Sequence, residues 1–169
     1  MPDKPMSAKP MSAKPTVIPA LCYVDPRAAI DFLQRAFGFE LEMLIEDEAG
    51  NLAHSQMTYG DGRIMVGNEW SADHKSPRSI GNKCTQTVHI QMTEDIDAHC
   101  ARAREAGAEI LVAPETQFYG DRTYRARDPE GHIWTLSQTV EVMTPQQWDA
   151  NTGLKTWMRE GPHEQGKTA

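Results

Sequence analysis

Between Val17 and Gln138 the spacing of apolar residues changes in a fixed order, and that order occurs twice. Val17 to Val24 alternates as a strand does. Asp25 is a good N-cap and Pro26 suits the first helical position. Ile30, Leu33 and Phe37 follow at helical spacing, and Gly38 closes the helix. Phe39 to Ile45 predicts a strand, Gly50-Asn51 a turn and His54 to Tyr59 a strand. Gly60-Asp61-Gly62 predicts a hairpin into Arg63 to Gly67. The second round starts with a strand at Thr87 to Met92. Asp95 caps a helix carrying Ile96, Cys100 and Ala103, which Gly107 ends. Strands are predicted at Glu109 to Val112, Arg122 to Arg127 and His132 to Gln138. Each half therefore reads strand–helix–strand–strand–strand.

The flanking segments lack this periodicity. Met6-Ser7-Ala8-Lys9-Pro10 repeats as Met11-Ser12-Ala13-Lys14-Pro15, so residues 1–15 are read as a flexible tail. A polar linker, residues 69–85, joins module one (16–68) to module two (86–140) within one domain, 16–140. Residues 141–169 hold a short helix and a polar tail from Glu160. Thr144-Pro145-Gln146-Gln147 is a capping box, and the helix after it is expected to pack Trp148 and Trp157 on the body.

Composition narrows the partners. The 169 residues suffice for one domain with a real core, and the formal net charge is −7. An acidic chain argues against a nucleic-acid partner. No apolar run approaches the roughly 20 residues that span a bilayer, and the N-terminus lacks a signal-peptide core. Cys22, Cys84 and Cys100 are odd in number and form no CxxC pair, which predicts a reduced, cytoplasmic setting.

Three motifs carry a resemblance. The first runs from Tyr23-Val24-Asp25 through Phe32 to Ala36-Phe37-Gly38-Phe39. The second runs from Glu94-Asp95-Ile96-Asp97-Ala98 to Ala106-Gly107-Ala108. The third is Tyr119-Gly120-Asp121-Arg122 followed by Asp128-Pro129-Glu130-Gly131-His132-Ile133-Trp134-Thr135-Leu136. In this order and spacing the chain resembles the glyoxalase/bleomycin resistance protein/dioxygenase group, the vicinal oxygen chelate superfamily, over about Val17 to Gln138. The resemblance implies an α/β (α+β) fold of two tandem βαβββ modules. Their curled sheets form paired half-cups around one ligand site. It also implies a homodimer.

The same resemblance implies where a metal would sit. Metal-dependent members draw ligands from the start of the first strand and near the end of the fourth strand of each module. Placed by strand alternation, these positions are Ile18, Met65, Thr87 and Thr135, with His89 replacing Thr87 if the register slips by two. An aliphatic chain, a thioether and neutral hydroxyls are poor ligands for a divalent cation. No cofactor is therefore expected, and a divalent metal is the alternative.

Alternation places His54, Gln56, His89 and Gln91 on the cup faces. Trp70, after the fourth strand, is a candidate lid for a flat organic ligand. Arg122 or Arg125 is a candidate contact for an anionic group, against a structural turn at Asp121. A His54–His89 pair with Glu69 is a candidate metal site outside the family pattern. Cys22 lines the cup as an inert thiol, Trp134 belongs to the core, and His132 bonds local backbone. His74, His99 and His163 are read as structural or solvated. The expected function is metal-free binding of a small organic molecule, as in bleomycin-resistance proteins. The alternatives are a metal-dependent lyase or dioxygenase, a metal-free enzyme using His89 or His54, and a module with no ligand.

Overall fold

The computed structural model describes residues 15–158. Most of the N-terminal repeat, and the C-terminal stretch from Glu160 with His163, lie outside the described residues. The order of elements is β1 (Ala20–Tyr23), α1 (Pro26–Phe37), β2 (Glu40–Glu46), β3 (Leu52–Tyr59) and β4 (Gly62–Asn68). A 3₁₀ turn, Pro77–Ile80, lies in the linker. Then follow β5 (Thr87–Met92), α2 (Ile96–Glu105), β6 (Glu109–Thr116), β7 (Asp121–Arg127), β8 (Ile133–Thr139) and α3 (Pro145–Thr152).

Local chemistry sets the helix ends. Asp25 accepts from the Ala28 N–H and Asp95 from the Ala98 N–H, each satisfying a donor that the first turn leaves free. Gly38 takes the left-handed conformation, with φ 78°, that closes α1. Thr144 and Gln147 form a reciprocal capping box. Prolines bear on two strands. Pro19 has no N–H for the ladder, so β1 starts at Ala20, later than the predicted Val17. Pro114 sits where the β6–β7 register shifts, and an edge strand tolerates it, so β6 runs to Thr116 rather than Val112.

The strands form two four-stranded sheets, ordered β1-β4-β3-β2 and β5-β8-β7-β6. In each, the first strand runs parallel to the fourth and the remaining pairs are antiparallel. Alternation sends Leu21, Tyr23, Ile64, Val66 and Met57 inward from the first sheet. Ile90, Met92, Tyr124, Ala126, Trp134 and Leu136 turn inward from the second, and all join one core with the apolar sides of both helices. Phe37 and Phe39 of module one reach Trp134 of module two, with ring centroids 5.3 and 5.7 Å apart. Packing on this side leaves the opposite face of each sheet uncovered by the other module.

The turn between β7 and β8 fastens the modules together. Asp128 accepts from the Tyr23 hydroxyl at 2.7 Å, the Trp134 indole N–H at 3.1 Å and the backbone N–H groups of Glu130 and His132. Glu130 accepts from the Val24 and Asp25 N–H groups and from the Ser76 hydroxyl. His132 donates Nε2–H to the Cys22 carbonyl at 2.8 Å, a partner 110 residues away and not the local one expected.

The C-terminal segment departs from expectation in one respect. Trp148 is half-buried, but Trp157 is 81% exposed. Gly153 ends α3 in the left-handed conformation, and the Thr156 N–H bonds back to Asp149 Oδ1. The chain therefore turns before Trp157, whose ring meets the Lys155 ammonium instead of the body.

Candidate functional site

The uncovered face of the first sheet carries Ala20 and Cys22 from β1 and His54 and Gln56 from β3. Arg63, Met65 and Gly67 come from β4. The register sets Met65 opposite Ala20 on one side and Gln56 on the other. A hollow of about 340 Å³ lies here, lined by Cys22, His54, Met65, Gly67 and Trp70 among others. The Gln56 Nε2 lies 3.2 Å from His54 Nε2, so the ring accepts there and keeps its proton on Nδ1. Trp70 is 71% exposed and stacks on His74 at a centroid distance of 3.8 Å, making a flat apolar wall. Burial, then the nearby Glu69 carboxylate, pushes the Cys22 thiol up, so it stays protonated and is no nucleophile at neutral pH.

The uncovered face of the second sheet carries Thr87, His89 and Gln91 from β5 and Thr135 and Ser137 from β8. His89 stands directly opposite Thr135, and Thr87 opposite Ile133. Gln91 donates to the Thr139 hydroxyl at 2.9 Å. His89 and Gln91 also edge a hollow of about 370 Å³ between the two modules, whose other walls include Phe39, Tyr59, Arg63 and Ile64 of module one. His54 and His89 thus line separate hollows within one chain.

Arg122 requires correction. It alternates with Tyr124 and Ala126, which face the core, so it points to the helix side of its sheet. There its guanidinium grips Asp97 of α2 with two bonds, at 2.9 and 2.8 Å. That contact draws the Asp97 carboxyl below its usual range and raises Arg122. Arg122 is a strut for α2, not a wall of either hollow.

Two arrangements escaped the sequence reading. His99 is buried, with Nδ1 2.7 Å from the Tyr124 hydroxyl and Nε2 3.2 Å from the Phe37 carbonyl. Arg63 donates to Glu42 at 2.6 Å across the uncovered face of the first sheet. No periodicity in the chain marks either pair.

The family's metal-dependent chemistry needs a set of donors, and the places identified above do not supply one. Ile18 offers carbon, Met65 a thioether, and Thr87 and Thr135 neutral hydroxyls. No group of three or more His, Cys, Asp or Glu arranged to hold a metal ion occurs among the described residues. Within one chain, these four places bring together no donor set that suits the ion.

The chain belongs to the glyoxalase/bleomycin resistance protein/dioxygenase superfamily, whose sequence model matches residues 17–136. An uncharacterized protein of Mycobacterium bovis is 32% identical over 126 residues, 72% of this chain and 82% of that protein. TioX from Micromonospora sp. ML1 has a crystal structure 30% identical in sequence with a TM-score of 0.58, covering 72% of this chain and 96% of TioX. TnmS3 from Streptomyces sp. CB03234, described as an antibiotic binding protein, shares the fold at 24% identity and a TM-score of 0.58, over 76% of this chain and 98% of its own.

Proposed function

We propose that this protein binds a small organic molecule without a metal ion, on the faces of its sheets that point away from the core. The observation that carries this reading is the composition of those faces. One combines thioether, imidazole, carboxamide and an exposed indole, and the other an imidazole, a carboxamide and hydroxyls. These groups suit contact with an organic ring and fixed hydrogen bonds, and they do not suit ligation. The description of TnmS3 as antibiotic-binding agrees with this class of ligand, and a family member that sequesters a compound needs only shape and polar fixing points.

Each hollow is shallow in a single chain, and β1 and β5 each lie at an edge of their sheet. An edge strand offers unpaired N–H and C=O groups to another strand. We infer a homodimer in which module one of one copy and module two of the other enclose the ligand, so that His54, Gln56 and Trp70 come to face His89 and Gln91.

A melting screen against a library of aromatic natural products and drugs tests this, because a ligand for the native state raises the melting temperature. Hits confirmed by calorimetric titration at one ligand per chain, in protein treated with chelator, are expected. Light scattering is expected to give twice the chain mass. A screen with no confirmed hit overturns the binding reading, and a monomer at all concentrations overturns the shared cup.

A further inference from the structure

Trp70, the exposed wall of the first hollow, stands in a loop that a single carboxylate closes. Glu69 accepts from the Ser76 N–H at 2.8 Å and from the Lys75 ammonium at 3.1 Å, tying residue 69 to residues 75 and 76. The Ser79 hydroxyl, then the Ser76 N–H and Lys75, hold its carboxyl below the usual range, so it is charged at neutral pH. Ser76 is buried and donates from its hydroxyl to Glu130, which in turn accepts from the Val24 and Asp25 N–H groups. The loop is thus anchored to the turn that joins the modules. Within it, Ser71 pairs with His74 in a lone β-bridge, and the Ser71 hydroxyl lies 3.0 Å from His74 Nδ1. The His74 ring stacks on Trp70.

The stacked pair stands between two hollows. Ala20, Leu21 and Cys22 of β1 line both; Trp70 walls the one of about 340 Å³, and His74 its neighbour of about 260 Å³. An exposed indole on a linker has several rotamers open to it, and each would set a different width for the first hollow. Closing the loop removes that freedom before a ligand arrives, and a site ordered in advance loses less affinity to ordering. Glu69 itself lines neither hollow, so any effect it has on a ligand passes through Trp70.

We propose that Glu69 is the positioning residue of this face: by closing the loop 69–76 it holds the Trp70–His74 pair as a fixed partition between the two hollows. The purpose of the partition rests on the small-molecule reading above, but the partition itself is a property of the free protein.

One arm of the test therefore needs no ligand. In NMR spectra of the full chain, the His74 ring protons are expected upfield of those of the exposed His89, because they lie over the indole face. Trp70→Leu should remove that shift. Glu69→Ala is expected to lose most of it, and Glu69→Gln, which keeps an acceptor for the Ser76 N–H, to retain most of it. Lys75→Met combined with Ser79→Ala strips donors from the carboxylate and is expected to lose part of the shift. That pair carries the test if Glu69→Ala fails to fold. A full shift in Glu69→Ala, or in the pair where the pair stands in for it, overturns the inference.

The other arm uses a hit confirmed in the melting screen. Glu69→Ala is expected to weaken it about fivefold, but by less than about twofold in a Trp70→Ala background, where nothing is left to position. Equal losses in both backgrounds overturn the inference and leave the binding reading standing. A blank screen overturns the binding reading alone, and the NMR arm still decides whether Glu69 holds the pair.

Discussion

The Tyr23 hydroxyl donates to Asp128 Oδ2 at 2.7 Å, joining the first strand of one module to the last turn of the other across 105 residues of chain. Burial, then the Asp128 carboxylate, holds the phenol proton on well above its ordinary range, so the bond keeps its direction at any physiological pH. The two partners are not equivalent. Tyr23→Phe leaves Asp128 with the Trp134 indole and two backbone donors, and is expected to cost about 1–2 kcal/mol. Asp128→Ala strands all four donors in the interior and is expected to cost about 3 kcal/mol or more. Urea unfolding followed by tryptophan fluorescence measures both, and equal costs would contradict this account of the turn.

His99 gives the fold a weakness to acid. Its ring accepts from the Tyr124 hydroxyl at Nδ1 and donates to the Phe37 carbonyl at Nε2, an arrangement that suits the neutral ring. Burial lowers its pKa from the ordinary 6.5, outweighing the carbonyl bond that raises it. Below pH 6.5 the unfolded chain takes up a proton that the folded chain refuses, so stability falls as the pH drops. The contribution is complete above that value and is lost toward the lowered folded pKa. Melting temperature recorded from pH 7 to pH 5 is expected to fall in the wild type and to fall less in His99→Gln. Parallel curves would exclude His99 as the cause.

Most of the fold was legible because its signals are local. Asp25, Asp95, Thr144 and Gly38 announce their helix ends within a few residues, and alternation sorted the faces of β1, β4, β5 and β8. What the sequence hid is long-range. Nothing near Asp128 or Glu130 says that their partners are Tyr23, Val24, Asp25 and Ser76. Nothing near His99 points to Phe37. Arg122 is a different case, because its phase with Tyr124 and Ala126 was readable in the sequence and points to the helix side, against the ligand contact expected of it. The pairing of Glu42 with Arg63 depends on a bulge in β2, which shifts phase in a way that strict alternation cannot follow.

Gly120 is where a methyl group would do most harm. Its φ is 93°, and a Cβ there would collide with the Glu141 carbonyl oxygen. Its own carbonyl accepts from the Val140 and Glu141 N–H groups, so the backbone cannot move aside without losing both bonds. Gly120→Ala is expected to cost about 3 kcal/mol, from strain and displaced hydrogen bonds together. Gly67→Ala is the control, since no atom lies within 4 Å of its added Cβ. It should stay within about 1 kcal/mol of the wild type by the same unfolding measurement.

Trp70 and Arg122 should part company in a binding assay. Trp70 is exposed beside the first hollow, so Trp70→Ala is expected to change stability by no more than about 0.5 kcal/mol. It should still weaken a confirmed hit about tenfold by removing an aromatic wall. Arg122→Ala frees Asp97 and loosens α2, yet should leave affinity for the same hit within about twofold once folded protein is compared. A large loss of affinity in Arg122→Ala with Trp70→Ala unaffected would put the ligand on the wrong side of the sheet for the present reading.

Metal addition tests the donor set directly. A site with micromolar affinity, offered 100 times its dissociation constant, would stabilise the native state by about 2.7 kcal/mol. For a domain of this size that corresponds to a rise of about 5–10 °C in melting temperature. Ile18, Met65, Thr87 and Thr135 supply no charged ligand, and His89 beside Thr135 supplies one imidazole where three or four donors are needed. Protein stripped with EDTA and then given Zn²⁺, Ni²⁺ or Mn²⁺ is therefore expected to melt within about 1 °C of the stripped sample. His89→Ala separates a single-histidine surface effect from a site. If a metal raises the melting point by several degrees and His89→Ala abolishes the rise, the donors come together across two copies of the chain. The metal-free reading then falls, while the shared cup it was built on stands.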